Sequence, residues 1–432
     1  DNKYNIIVDA INKTLGTLVG TWGLVIQYID NPDIIYAVRS GSPLLIGKND
    51  NLVIITSEIN GFNNIISNYH TLQSNYLYEI NVNTTIICDK FIISSPNKNN
   101  KGKYLHWMIK EIHDQSHIIQ KITNNGSRIK NNNVVFGGLY QHMDKIKSCK
   151  NIVLYGCGTS YNACCFAKKF LYELTHFETI TIIDASNFNK YDLPKNSDVI
   201  NIYVSQSGET KDLYDILKLV SGFNIGIVNV VDSLIARTVD CGIYINIGKE
   251  YSVASTKVFT AQVLILVLFG VSLCNNELLV KKYINSIRDL DSLINIELNK
   301  DLDINYKDYK NYTNGFILGD SLTNIIGNEI ALKFKEITYI HIESLSYNTL
   351  KHGPLALVTD NNFICILLGD NINSENEIKC RGGKIIKYNI TTNNIFNDLL
   401  YVIQLQRIIY KIALIKNIDP DYPRNLAKVV TV

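Results

Sequence analysis

Two short segments combine glycine with hydroxyl side chains in a way that suits an anion. The first, Gly156-Cys-Gly-Thr-Ser-Tyr161, sits between an apolar β-type run and a helical pattern. Glycine lets the backbone turn tightly and approach a ligand closely. A helix start adds unpaired N–H groups and the positive end of its dipole, and Thr159 and Ser160 add hydroxyl donors. The second segment, Ser205-Gln-Ser-Gly-Glu-Thr210, has the same setting. Hydroxyl-rich helix starts at neighbouring strand ends can converge on one anion at the carboxyl edge of a parallel sheet. A third segment, Val253-Ala-Ser-Thr-Lys-Val-Phe259, opens an apolar helix running to about Ser272, although Ser255 and Thr256 are also ordinary capping residues. Alone, the first loop also fits a ligand-free turn. A dinucleotide reading is weaker, because Tyr161 occupies the third glycine position of G-x-G-x-x-G and no Walker lysine follows. Together the loops point to the phosphate of a small molecule.

The elements that must position these loops are strands at Ile152–Tyr155 and Val199–Val204, with helical patterns at 161–174 and 211–220. A second unit repeats the layout, with Phe316–Gly319 leading to a helix at about 324–336 and Phe363–Gly369 leading to a polar loop. Buried β-runs alternating with amphipathic helices predict α/β architecture, two doubly wound parallel sheets in tandem, joined by a charged helical connector near 277–300. Ahead of them, residues 4–90 carry the short β-type runs Thr21–Tyr28, Ile34–Val38, Leu52–Thr56 and Tyr76–Ile80, broken by turn signals, which predict part of an antiparallel domain. The breaker-rich stretch Ser94–Gly102 reads as a linker, followed by a helix from Tyr104 to about Ile122. The expected divisions are 1–93, 94–134, 135–276, 277–305, 306–423 and a tail at 424–432.

Composition narrows the partners. Lys plus Arg number 42 against 40 Asp plus Glu in 432 residues, and a net charge of +2 gives no reason to expect nucleic acid or an anionic membrane. The nine cysteines are scattered and contain no C-x-x-C pair, which fits a reducing cytoplasm and no metal site. The longest apolar run, Val263–Leu273, falls short of the roughly 20 residues of a spanning helix. Neither methionine, Met108 nor Met143, is an initiator, so the first residue is expected to be a cut inside a longer protein.

The three loops in this order resemble the first sugar-isomerase (SIS) domain of the glutamine–fructose-6-phosphate aminotransferases, also called glucosamine-6-phosphate synthases. In the second unit Glu329-Ile-Ala-Leu-Lys-Phe-Lys-Glu-Ile-Thr-Tyr-Ile-His341 resembles that family's E-G-A-L-K-x-K-E-I-x-Y-I-H, and Leu350-Lys-His-Gly-Pro-Leu-Ala-Leu357 its L-K-H-G-P-L-A-L. The end, Pro423-Arg-Asn-Leu-Ala-Lys-Val-Val-Thr-Val432, is similar to P-R-N-L-A-K-S-V-T-V, and Lys101–Glu111 to K-G-x-Y-x-H-x-M-x-K-E. Residues 15–80 resemble the back half of the family's glutaminase domain. The front half, with its nucleophilic N-terminal Cys, has no counterpart in this sequence, so glutamine-dependent activity is expected only of a longer parent.

The resemblance implies conversion of fructose 6-phosphate and ammonia to glucosamine 6-phosphate, with no cofactor. It places Ser160, Ser205, Gln206, Ser207 and Thr210 on the phosphate and Thr159 and Ser255 on the sugar side, with Cys157, Gly158, Val253 and Ala427 lining the same site. Lys428 matches the lysine that forms a Schiff base with the ketose; a neutral amine there requires burial or a nearby cation, for which Lys333 and Arg424 are candidates. Glu336 matches the proton shuttle between C1 and C2, with a helical salt bridge to Lys333 or Lys335 as the competing account. His352 matches the ring-opening acid and base, and its loop reaches the neighbouring subunit in the family, which implies a homodimer; His341 is read as structural. Departures from the family pattern are Gly319-Asp-Ser321 for G-R-G, Ile330 for glycine and Ala185-Ser-Asn-Phe-Asn-Lys190. Two other readings stay open: a non-catalytic sugar-phosphate sensor, and another phosphosugar isomerase or deglycase.

Overall fold

A computed structural model describes residues 2–18, 22–40, 44–49, 52–56, 62, 65–66, 69–73, 75–81, 87–92, 101–130, 133–194, 198–302, 306–360, 362–426 and 428. The expected linker at 94–102 falls largely outside them, as does Ala427. The chain forms two compact units: residues 1–102 with 230–232, and residues 103–229 with 233–432.

The first unit is antiparallel. Strands Trp22–Tyr28, Asn31–Ser40, Tyr76–Asn81 and Ile87–Ile92 pair in that order, and a three-stranded sheet places Leu45–Lys48 between Val53–Thr56 and Tyr69–Thr71. Helix Asn2–Leu15 was not anticipated. Its Val8, Ile11 and Leu15 recur at helical spacing and pack on Tyr36, Val38 and Leu77. The helix is rich in β-branched residues and asparagine, so packing on the sheet, more than intrinsic propensity, accounts for it.

The second unit contains both parallel sheets. In the first, the order is Thr179–Asp184, Asn151–Gly156, Val199–Ser205, Phe223–Val228 and Cys241–Tyr244. In the second it is His341–Ser346, Asn314–Gly319, Phe363–Leu368 and Lys384–Tyr388. The central strands Asn151–Gly156, Val199–Ser205, Asn314–Gly319 and Phe363–Leu368 are buried along almost their whole length, which is what coverage on both faces demands. In each sheet the first strand in sequence lies inside, with the second on one side and the third on the other. The strand order therefore reverses between 151–156 and 199–205, where α/β sheets open a crevice at their carboxyl edge. Tyr155 stands in register with Tyr203, and their rings stack at 5.0 Å, so the loops that follow leave the sheet side by side.

Helix Lys257–Leu273 is buried on nearly every face, which explains its unbroken apolar sequence. It packs against Thr159–Leu174, with Gly270 against Leu171 and Leu174. No described helix is long and apolar enough to cross a membrane. Helices Leu322–Thr338 and Leu399–Ile415 of the second lobe share one apolar core with these two. The connector runs from Glu277 to Asn299. The expected helix from Tyr104 is shorter: it spans Trp107–His113, passes through a 3-10 turn at Asp114–His117, and resumes at Ile118–Ile122. Its start is fixed from far away in sequence, because the Asp421 carboxylate accepts hydrogen bonds from the N–H groups of Trp107 and Met108, both at 2.8 Å.

Candidate active site

At the carboxyl edge of the first sheet lies a cleft of about 320 Å³. Its floor is made by Cys157, Gly158, Thr159 and Ser160 on one loop and Ser205, Gln206, Ser207 and Thr210 on the next. Gly158 has φ +53° and ψ −120°, a conformation that disfavours any residue with a Cβ, and it lets the chain fold directly into helix Thr159–Leu174. A Cβ on Gly208, φ +68°, would lie 2.0 Å from Ser233 Oγ. The helices beginning at Thr159, Lys211 and Lys257 have no side-chain cap from their own N-cap residues, so those side chains do not occupy their first-turn N–H groups.

The hydroxyls are oriented by their neighbours. Ser160 Oγ accepts from Gln262 Nε2 at 2.9 Å, so its own proton is available to an anion. Ser205 Oγ accepts from Gly208 N at 3.0 Å and lies 3.1 Å from Thr210 Oγ1, and Ser207 Oγ accepts from Glu209 N at 3.1 Å. Acceptance leaves the Ser207 proton for whatever enters, while Ser205 and Thr210 share one hydrogen bond, so one of their two protons is used between them until a ligand draws it away. Burial pushes the Cys157 thiol up to about 12, so it is neutral rather than a thiolate competing with an anion. Thr159 is different: its hydroxyl donates to Glu329 Oε1 at 3.0 Å, which leaves it an acceptor toward the cleft, suited to a sugar hydroxyl rather than a phosphate oxygen.

The opposite wall carries the charges. Lys333 is 1% exposed, with Nζ 2.7 Å from Glu336 Oε2 and 3.6 Å from Glu329 Oε1. Burial works to lower the Lys333 ammonium, but Glu336 and Glu329 outweigh it and hold its pKa above the usual lysine value. Glu329 lies wholly inside the protein and also accepts from Asn162 Nδ2 at 2.9 Å. Burial pushes its carboxyl up to about 7 against the pull of Lys333 and Asn162. It thereby joins the helix that starts the cradle to the helix that carries Lys333 and Glu336. Lys428 enters from the tail, with Nζ 2.8 Å from Glu250 Oε2 and 3.4 Å from Ser255 Oγ.

The cleft thus brings together Cys157, Gly158, Thr159, Ser160, Ser205, Gln206, Ser207, Thr210, Val253, Ser255, Lys333, Glu336 and Lys428. His352 is exposed and is not among the lining residues. The expected cation beside Lys428 is replaced by a carboxylate. Lys333 is committed to Glu336 and Glu329, and the Arg424 guanidinium lies over the Tyr339 ring, 4.1 Å from its centroid. The competing salt bridge to Glu336 does form, through Lys333, which faces the same cleft.

Sequence reasoning overlooked Glu250, Glu329, Glu111, Gln262 and Asp421. Glu329 and Glu111 stood inside segments quoted for the resemblance, and Glu250 lies five residues before Ser255, so position was the available signal. Their burial was not legible. Glu250 is fully buried, and Glu111 Oε1 accepts from Tyr251 N at 2.5 Å and Ser252 N at 3.4 Å. Desolvation, then the charge of Glu250, push the Glu111 carboxyl up to about 8.

The SIS domain family matches residues 145–272. The chain is 37% identical to a probable glutamine–fructose-6-phosphate aminotransferase [isomerizing] of Acanthamoeba polyphaga mimivirus, over 96% of this chain and 74% of that protein. It is 32% identical to the glutamine–fructose-6-phosphate aminotransferase [isomerizing] of Wigglesworthia glossinidia brevipalpis, over 99% and 76% respectively. Among solved structures, the C-terminal domain of glucosamine-fructose-6-phosphate aminotransferase from Francisella tularensis superposes with a TM-score of 0.66 at 26% identity, covering 75% of this chain and all of that one.

Proposed function

Since the chain belongs to the glutamine–fructose-6-phosphate aminotransferase (isomerizing) family, we propose that its cleft binds fructose 6-phosphate and that the chain converts it, with ammonia, to glucosamine 6-phosphate. The observation that carries this reading is the meeting, in one cleft, of two hydroxyl-lined helix starts with Lys428, Glu336 and Lys333. The phosphate takes the donors of Ser160, Ser205, Ser207 and Thr210 with the loop N–H groups around Gln206. Thr159 and Ser255 lie on the sugar side, between the cradle and the charged wall. Lys428 attacks C2 of the open chain to give a Schiff base, ammonia replaces it, and Glu336, held by Lys333, carries the proton between C1 and C2. Ala427 belongs to the same tail.

His352 stands outside the cleft on an exposed loop, which supports its acting as the ring-opening group in a neighbouring subunit of a homodimer. The antiparallel first unit supports reading residues 1–93 as part of a glutaminase domain, with glutamine as the natural ammonia source. The eight cysteines whose side chains are described, Cys149 through Cys380, are all free, in keeping with a cytoplasmic setting. The test uses purified chain with fructose 6-phosphate and an ammonium salt. Glucosamine 6-phosphate is the expected product, with glucose 6-phosphate when ammonium is omitted; a folded chain that yields neither overturns the proposal.

A further inference from the structure

The group nearest the proposed nucleophile has no part in the scheme above. Glu250 is fully buried; its Oε1 accepts from Thr256 N at 2.9 Å, which fixes the side chain, and its Oε2 meets Lys428 Nζ at 2.8 Å. Lys428 keeps 22% of its side chain exposed and lines the cleft, so the same nitrogen faces Glu250 on one side and the ligand space on the other. We propose that Glu250 takes the ammonium proton of Lys428 and returns it to the departing water as the Schiff base forms. The inference rests on the reading of Lys428 as the Schiff-base lysine.

The proton balance closes within the pair. Transfer from Nζ to Glu250 Oε2 frees the amine lone pair, which bonds to C2 while the C2–O π electrons move to oxygen. A proton shift from nitrogen to that oxygen gives the neutral carbinolamine. Protonated Glu250 then supplies its proton to the C2 hydroxyl, which leaves as water, and the nitrogen lone pair closes the C=N bond. The product is a protonated Schiff base with Glu250 again anionic, so no outside acid or base is consumed.

The surroundings suit this exchange. Burial works to raise the Glu250 carboxyl, while Lys428, the Thr256 N–H and Lys257 outweigh it and hold the pKa below the usual value, so the pair rests as ammonium and carboxylate. Glu111 faces it from helix Trp107–His113, and Lys257 from helix Lys257–Leu273. Lys257 Nζ is itself held by Asp114 at 3.1 Å, and Lys333 senses Glu250 from the second lobe but is bound to Glu336. Among the described residues Glu111 Oε2 is buried without a hydrogen-bond partner, which favours its neutral form and leaves Glu250 as the anion of the two.

Borohydride trapping of the full chain with fructose 6-phosphate, followed by peptide mass spectrometry, separates the possibilities. A proton passed inside a closed pair makes the neutral amine independent of bulk pH, so the trapping rate of the unaltered chain should be nearly flat between about pH 5.5 and about pH 6.5, below the range in which Glu329 and Glu111 ionise. In Glu250→Gln the amine must lose its proton to solvent, so trapping should fall at least ~10-fold near about pH 6.5 and rise steeply with pH. Glu250→Asp keeps a carboxylate and should keep the flat profile; it decides the matter should the glutamine variant not fold. A flat profile at an unchanged rate in Glu250→Gln, or a rising one in Glu250→Asp, overturns the proposal. Absence of any Lys428 adduct in the unaltered chain overturns instead the reading of Lys428 on which it rests.

Discussion

Replacing Glu329 with glutamine tests the link between the two lobes through the pH dependence of stability. The folded-state pKa of about 7, against 4.5 for a free glutamate, means that the folded protein binds this proton more tightly than the unfolded chain does. The contribution is therefore fully present below pH 4.5 and is lost as pH rises through about 7, a loss of ~3 kcal/mol for a fully buried group. Glutamine has no proton to lose and does not pass through this change. It does place an amide N–H₂ among donors from Thr159, Asn162 and Lys333; the Thr159 hydroxyl can turn and the Asn162 amide can flip to accept, but the Lys333 ammonium cannot, at a local cost of ~1–2 kcal/mol. Glu329→Gln should then be the less stable protein at pH 5 and should draw level with or overtake the parent at pH 8. With unfolding entropy of roughly 2 cal/mol/K per residue over the larger unit, ~3 kcal/mol is a relative change in Tm of ~4 °C, readable by thermal denaturation at the two pH values. Glu111, pushed up to about 8, titrates with the same sign in both proteins and cancels in the difference. Parallel pH profiles, or a parent that gains on the variant as pH rises, would refute the reasoning.

Three further outcomes follow from the geometry. Ser205→Ala removes the hydroxyl that accepts from Gly208 N and meets Thr210, and should weaken fructose 6-phosphate binding by ~10- to 100-fold in calorimetric titration. Gly158→Ala forces a Cβ into φ +53°, ψ −120°, and should cost ~1–3 kcal/mol in denaturant unfolding together with lost phosphate affinity. Asp421→Ala leaves the Trp107 and Met108 N–H groups without their carboxylate, and should cost ~1–3 kcal/mol while raising hydrogen exchange in the tail that carries Lys428.

The cradle was legible because its chemistry is local. A glycine, hydroxyls and a strand-to-helix change within six residues declare themselves, and the two loops fall on neighbouring strands once the sheet order is known. The buried runs likewise gave the parallel sheets, since strands covered on both faces are apolar throughout. What could not be read was pairing across long stretches of chain. Asp421 capping Trp107, Glu329 meeting Thr159 and Glu250 meeting Lys428 are separated by 314, 170 and 178 residues, and no period or propensity signals them. Lys333 and Arg424 were candidates for a cation beside Lys428 because an attacking amine must be neutral. A fully buried ammonium instead requires its own carboxylates, and Glu336 and Glu329 satisfy that need. The first helix was missed for the opposite reason, since its residues favour strand locally and only the sheet beneath makes it helical.

The central claim is that two hydroxyl-lined turns seat one phosphate so that Lys428 reaches the sugar carbon chain. A crystal of the chain soaked with fructose 6-phosphate tests it most directly. The phosphate should lie within hydrogen-bond reach of Ser160, Ser205, Ser207 and Thr210, with the carbon chain directed at Lys428 and Glu336. Phosphate density at the equivalent turn of the second lobe, beside Asp320 and Ser321, with the first cleft empty, would contradict the account.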